Sequence, residues 1–181
     1  MTEVATPPRF SGKVFIGVSV DGFIARPDGD LDWLIRADPG DTGYEAFMAG
    51  IDTLVMGRGT YEKALTFGYW PYEGRRTMVL SSRLSPDADP RITVHRDLEA
   101  LLRALAEAGA RRVYVDGGKV VQTFLRAGLV DELTVTTAPI LLGSGMPLFG
   151  PLESDIELTH RATKVLGAGY VQSVYDVAHA G

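Results

Sequence analysis

Short β-branched runs that alternate with helical stretches constrain this chain more than any other feature. TLVM (53–56), RTMVLSS (76–82), RITVH (91–95), RRVYVD (111–116) and ELTVTTAPIL (132–141) each have the length and composition of a strand. Between several of them lie segments with apolar residues at helical spacing. The clearest is DLEALLRALAEAGA (97–110), with leucines at 98, 101, 102 and 105 behind an aspartate placed to cap it. GGKVVQTFLRAG (117–128) is a second, and a shorter helix follows TLVM over 59–66. Tyr44, Phe47, Met48 and Ile51 mark another that begins near Thr42. Strands joined through helices pair in parallel, so the expected fold is α/β around a mostly parallel sheet. LTHRATKVL (158–166) and YVQSVYDV (170–177) flank Gly167 and Gly169 and predict a closing antiparallel hairpin. KVFIGVSVDGFIA (13–25) predicts a strand that runs into a loop, and RPDGDLDWLIRADPGDTG (26–43) a long loop of the functional kind. A disordered lead over 1–10 and a single domain over 11–178 complete the expected organisation.

Composition narrows what such a domain can bind. The 18 basic and 23 acidic residues leave a net charge of −5, which argues against nucleic acid and acidic membranes as partners. A small-molecule substrate is the expected partner. No apolar run approaches the roughly 18 residues that span a bilayer, and MTEVATPPRF lacks the pattern of a signal peptide. The chain has no cysteine, hence no disulfide, thiolate nucleophile or sulfur metal site. A cytoplasmic protein is expected on these grounds.

Two strand–glycine–helix junctions carry the chemistry: VMGRGTYEKA and VYVDGGKVVQTF. Ligands collect at the carboxyl ends of parallel strands, and the start of the next helix offers free N–H groups and partial positive charge that suit phosphate. Gly57, Gly59, Gly117 and Gly118 leave room for a ligand to approach the backbone, while Arg58 adds a cationic fork and Thr60 a hydroxyl. Neither junction matches G-x-G-x-x-G or a loop ending in G-K-[ST]. Ser81, Ser82 and Arg83, at a strand's carboxyl end, suit a further phosphate such as the 2′-phosphate of NADP. No metal site is expected. His95, His160 and His179 lack ligand spacing, and the Asp28, Asp30, Asp32 run lacks the glycine and glutamate of a calcium loop. No serine lies in a G-x-S-x-G elbow.

In order along the chain, VSVDGFIA (18–25), DLDWL (30–34), LVMGRGTYE (54–62), VLSSR (79–83), VYVDGGKVVQTFL (113–125) and APILLGSGMPLF (138–149) resemble the dihydrofolate reductase superfamily. They are most similar to the branch that contains the reductase domain of riboflavin biosynthesis and its stand-alone relatives. The resemblance implies a three-layer fold with about eight strands in its sheet and NADPH laid across it. It implies that Gly57, Arg58 and Thr60 hold cofactor phosphate, as do Gly117, Gly118 and the helix start at Lys119 and Val120. It places Ser81, Ser82 and Arg83 by the 2′-phosphate, Ile16, Gly17 and Ile24 by the nicotinamide, and residues 20–34 in a mobile loop over the site. A homodimer is expected from the same branch.

Folate enzymes carry an acidic proton donor on the helix before the M-G-R strand. Counting back from Gly57 reaches Asp41, and counting forward from Trp33 reaches Asp38. Asp41 is the expected catalytic residue, because Pro39 and Gly40 should precede the helix, with Glu45 one turn on as a third candidate. Asp41 also suits a helix cap. Asp116 departs from a phosphate-binding pattern, because its charge repels pyrophosphate unless it points away. The zinc deaminase half that accompanies many riboflavin-pathway reductases has no counterpart here, since cysteine and an H-x-E motif are missing. The expected activity is NADPH-dependent hydride transfer to a small heterocycle, with 5-amino-6-(5-phosphoribosylamino)uracil as the leading substrate. Reduction of dihydrofolate or another pterin, and dinucleotide binding without turnover, are the alternatives.

Overall fold

The computed structural model describes residues 9–179. The chain runs β1 (Ser11–Ser19), β2 (Phe23–Ala25), α1 (Tyr44–Ala49), β3 (Thr53–Gly57), α2 (Arg58–Leu65), β4 (Arg76–Leu80) and β5 (Ile92–His95). It continues α3 (Leu98–Glu107), β6 (Arg112–Asp116), α4 (Gly118–Arg126), β7 (Glu132–Ala138), β8 (Met146–Pro147), β9 (Leu158–Val165) and β10 (Val171–Val177). Eight strands form one sheet in the order β5-β4-β3-β6-β1-β7-β10-β9. All pairs from β5 to β7 are parallel, and β10 runs antiparallel to both β7 and β9. The mostly parallel sheet with its antiparallel hairpin is thus as expected.

Side-chain alternation sorts this sheet into two cores. Val14, Val55, Met78, Val113 and Val115 face one side and pack with Leu101 and Leu105 of α3 and Val121 and Phe124 of α4. Leu54, Met56, Val79 and Tyr114 face the other, against Met48 of α1 and Tyr61 and Ala64 of α2. Handedness gives the reason. A parallel crossover is right-handed, so the direction of travel along the sheet decides the face on which its helix lies. The chain moves one way through α1 and α2, toward β4, and the other way through α3 and α4, toward β7.

Local chemistry sets the element ends. Asp97 accepts a hydrogen bond from Ala100 N at 2.8 Å and so caps α3. Asp52 accepts from the amides of Arg111 and Arg112 and ties the start of β6 to β3. The 26–43 segment forms neither helix nor strand, yet Trp33 is 1% exposed and packs with Ala138 and Tyr170. The Tyr170 hydroxyl donates to Leu34 O at 2.9 Å, and Gln172 Nε2 donates to Thr42 O at 3.0 Å. A second, two-stranded sheet pairs β2 with β8, antiparallel, and joins the VSVDGFIA and APILLGSGMPLF stretches. Strands of three and two residues leave too little pattern to be read from sequence. Residues 1–8 of the expected lead lie outside the described residues, and Phe10 sets its ring against Phe124 with centroids 6.3 Å apart. Among the described residues, no helix is long and apolar enough to cross a membrane.

Phe124 is fully buried beneath the sheet. Phe124→Ala is expected to cost about 3–5 kcal/mol, read as a lower urea midpoint with an unchanged slope. A loss below about 1 kcal/mol would show that this core can close over the hole.

Candidate functional site at the parting of two central strands

The site begins with a break in pairing. β1 is in register with β7 over its length from Lys13 to Ser19, but with β6 only over Ser11, Gly12 and Lys13. Beyond that point the two strands diverge toward their carboxyl ends, while β6 stays paired with β3 up to Met56 and Asp116. The Tyr114 hydroxyl donates to Phe15 O at 2.8 Å, satisfying a carbonyl next to the gap. A cleft therefore opens between Phe15–Ser19 on one side and Asp116–Gly118 on the other.

Both glycine junctions lie beside this cleft. β3 and β6 are neighbours, so α2 and α4 start next to one another although they cover opposite faces of the sheet. That reversal is the switch point where open α/β sheets bind ligands. Neither helix has a side chain capping its first turn, in contrast to α3. The free amides of residues 58–60 and 118–120 thus form a paired set of donors with the partial positive charge of two helix ends. Gly117 has φ +94°, and a Cβ there would overlap Thr60 Oγ1, so the two junctions touch. A Cβ on Gly118 would stand 2.6 Å from Pro147 O and 3.2 Å from Ile24 Cδ1, and one on Gly57 3.3 Å from Val120 Cγ2. Those two glycines answer to packing within the protein. Gly59 does not, since a Cβ there meets nothing within 4 Å. Val120 is a core residue that offers only its amide, and Lys119 is exposed. Arg58 is exposed, with Glu62 3.6 Å away on the next turn.

One strand further out, Gly57 is in register with Leu80, which places Ser81–Arg83 beside Arg58. The Ser81 hydroxyl accepts from the amides of Arg83 and Leu84 and shapes the turn. Arg96, which sequence reasoning missed, donates from Nη1 to Ser82 O at 3.1 Å. It brings a second guanidinium to this corner. Only the β4–β5 pairing reveals it, because residues 83 and 96 are far apart in sequence.

On the opposite side of the cleft, Ile16 packs partly into the α3/α4 core, and Leu34 lies over Gly17, where a Cβ would meet Leu34 Cδ1 at 2.7 Å. Ile24 reaches Gly118 from β2. The 20–34 segment is pinned at its start, where Asp21 accepts from Gly143 N at 2.7 Å and from the Ser19 hydroxyl. At its far end Trp33 is buried.

Of the carboxylates, Asp38 and Asp41 are exposed and accept from the amides of Gly40 and Gly43, both at 2.8 Å, shaping the turns before α1. Glu45 is exposed on α1. Asp116 differs. It follows Tyr114 on the α1/α2 face of β6, opposite the side that α4 covers, so its charge points away from the α4 amides. Protein crowds it while solvent still reaches it, as at the floor of a recess. Burial pushes its pKa up to about 6 against the pull of the Gly117 amide. Among the described residues no cation pairs with it. Burial, and then the Asp116 charge, also push up the phenols of Tyr44, to about 12, and of Tyr72. A cleft of about 370 Å³ lies between α1 and the β1-β7-β10-β9 floor, lined by Phe15 and Phe47 with Lys13, Arg112 and Lys164 on its walls. The described residues hold no cluster of metal-ligating side chains.

Comparison with known proteins identifies the family. The family model of the RibD C-terminal domain matches residues 12–172. The uncharacterized protein YwjB of Bacillus subtilis is 35% identical over 161 residues, covering 85% of this chain and 91% of its own. Riboflavin biosynthesis protein RibD of Corynebacterium ammoniagenes is 30% identical over 83% of this chain, which spans 50% of that relative. A solved structure from Shewanella sp. PV-4, of a protein named for riboflavin biosynthesis, superposes with a TM-score of 0.85 at 36% identity. It covers 94% of this chain and 100% of its own. In sequence and in strand order, this chain belongs to the RibD C-terminal domain family, with the dihydrofolate reductase-like fold.

Proposed function

We propose that this protein is an NADPH-dependent reductase that transfers hydride to a small nitrogen heterocycle, with 5-amino-6-(5-phosphoribosylamino)uracil as the leading substrate. The observation that carries the reading is the pair of uncapped helix starts at the switch point, in contact through Thr60 and Gly117. Helix starts without a side-chain cap leave their amides to water or to a ligand, and a pyrophosphate supplies acceptors for both. Arg58 and Thr60 add charge-assisted and hydroxyl bonds. Arg83 and Arg96, one strand out, suit the 2′-phosphate that separates NADPH from NADH. The reduced nicotinamide supplies the hydride, while Gly17, Ile24 and Leu34 at the cleft wall exclude water around it. The family membership supports a riboflavin-pathway reductase, and NADPH oxidation across a panel of pyrimidines and pterins tests the substrate. Oxidation of NADPH with dihydrofolate but not with the pyrimidine would move the reading to a pterin reductase.

Gly59 gives a sharper test of the clamp. A helical glycine costs about 0.5–1 kcal/mol relative to alanine, and no protein atom requires one at this position. Gly59→Ala is therefore expected to raise the thermal midpoint of the free protein while weakening NADPH binding, followed by nucleotide fluorescence. Unchanged affinity would remove the α2 amides from the site. The double replacement of Arg83 and Arg96 by alanine is expected to lower the preference for NADPH over NADH by about tenfold or more, with NADH affinity kept. A wild-type protein that binds both nucleotides equally would overturn the 2′-phosphate assignment.

A further inference from the structure

The cleft under α1 gathers positive charge on a chain whose net charge is −5. Lys13, Arg112, Arg161 and Lys164 line it, against the single carboxylate of Glu132. Glu132 is already held by Lys13 at 3.3 Å and by Arg161 at 2.7 Å, and Asp176 takes the rest of the Arg161 fork. Among the described residues, no carboxylate pairs with the side chain of Arg112 or of Lys164. Asp52, which bonds the Arg112 amide, is occupied there and by the amide of Arg111 and the Thr53 hydroxyl. Two cations are left to face the cleft without a counter-charge, a local field that draws an anion to an acidic protein.

Side-chain size makes the opening. Gly43, Ala46, Phe47 and Gly50 follow helical spacing along α1 and line the cleft, and three of the four bring little or no side chain. The floor opposite is Phe15 on β1, Thr134 on β7, and Gln172 and Val174 on β10, which share one face by alternation and register. Gln172 is buried and spends both amide hydrogens, on Thr42 O at 3.0 Å and on Thr136 Oγ1 at 2.9 Å. Its Oε1 is left as an acceptor with no protein donor among the described residues. The cations stand at two ends. Lys13 is in register with Glu132, and Lys164 with Gln172 opposite Thr136, which is about 13 Å further along the strands. Arg161 reaches the Glu132 end, and so does Arg112, whose Nη1 lies 3.9 Å from the place of a Cβ on Gly50. Between the two ends lie the rings of Phe15 and Phe47.

Two layers of rings stand between this cleft and Asp116. Phe15 and Phe47 line the cleft with centroids 4.9 Å apart, while Tyr44 packs edge-on to Phe15 at 5.5 Å and Tyr114 edge-on to Phe47 at 5.0 Å. Tyr44 and Tyr114 are the rings that feel the Asp116 charge. No residue of the two glycine junctions lines the cleft. We propose that it binds a small aromatic dianion, a ligand additional to the nucleotide and the heterocycle of the proposed function. One anionic group lies among Lys13, Arg112 and Arg161, where the Arg112 fork gives it paired hydrogen bonds. The ring packs on Phe15 and Phe47, and the second anionic group reaches Lys164. A hydroxyl or amino substituent on the ligand donates to Gln172 Oε1. A volume of about 370 Å³ suits one substituted ring and lies at the small end of ligand pockets. Such a site stands whether or not the protein reduces a heterocycle.

The probe is 4-carboxyphenyl phosphate, which carries both anionic groups on one ring. Calorimetry on the intact chain is expected to show saturable binding with a Kd below about 1 mM at low salt, weakening as salt is raised. Phenyl phosphate, which lacks the carboxylate, is expected to bind about tenfold more weakly, and inorganic phosphate more weakly again. Replacing Arg112 and Lys164 together by alanine is expected to weaken the probe by about tenfold or more. Ala46→Trp fills the cleft from the exposed side of α1 and is expected to abolish probe binding, with NADPH affinity within about twofold of wild type. Saturating NADPH is expected to leave the Kd of the probe unchanged. Absence of saturable binding to wild type, equal affinity in the double replacement, or displacement of the probe by NADPH or by 5-amino-6-(5-phosphoribosylamino)uracil would overturn the assignment. A wild type that holds the probe but not NADPH would instead bring down the reductase reading and leave this site standing.

Discussion

The parting of β1 from β6 is the constraint on which this site depends. Two parallel strands that stop pairing midway leave backbone groups unsatisfied on both sides of the gap, and each needs another partner. Tyr114 supplies one by donating to Phe15 O. The rest of the gap stays open at its carboxyl end because each strand is held on its outer side, β1 by β7 through Ser19 and β6 by β3 through Asp116. A sheet fully paired along this line would have no cleft for a ring to enter. The small β2–β8 sheet lies beside the opening, where Pro147 O and Ile24 close on Gly118 and fix the start of α4.

Much of this was legible in the sequence where the physics is local. The strand runs, the Asp97 cap and both glycine junctions follow from periodicity and turn chemistry within ten or so residues, and all appear where expected. What was not legible depends on neighbours set by topology. Arg96 joins Arg83 only because β4 and β5 are paired, and the glycines at 57 and 118 answer to Val120 and Pro147. The side-chain direction of Asp116 lies between these cases. Alternation along RRVYVD puts Val113 and Val115 on one face and Tyr114 and Asp116 on the other, so the aspartate was separable from the helix that follows it. That period-two signal turns its charge away from the α4 amides and onto the face that α2 covers.

Two kinds of matter build the two halves of the site, and this explains why one half is readable and the other is not. The half proposed for the dinucleotide is mostly backbone: amides at two helix starts, admitted by glycine, with Arg58, Arg83 and Arg96 around them. Backbone geometry of this sort demands particular residues at particular spacings, so it leaves a motif. The other side of the opening carries side chains from four separate places: Phe15 on β1, Tyr44 on α1, Tyr72 after α2 and Asp116 on β6. No spacing rule links them, so sequence alone does not show that they meet.

The same division bears on how such a site can change its substrate. Altering the backbone half disturbs helix starts that are packed against each other through Thr60 and Gly117, so few substitutions there leave the fold intact. The side-chain half is freer, with Tyr44 37% exposed and Tyr69 70% exposed at the mouth. Asp116 is the exception, because a carboxyl held near the neutral range by burial destabilises the folded state whenever it ionises. An uncharged residue of the same shape would serve the fold better at neutral pH. Asp116 therefore sits at the parting of β1 and β6 at a standing cost to stability, the kind of strain that collects at functional sites.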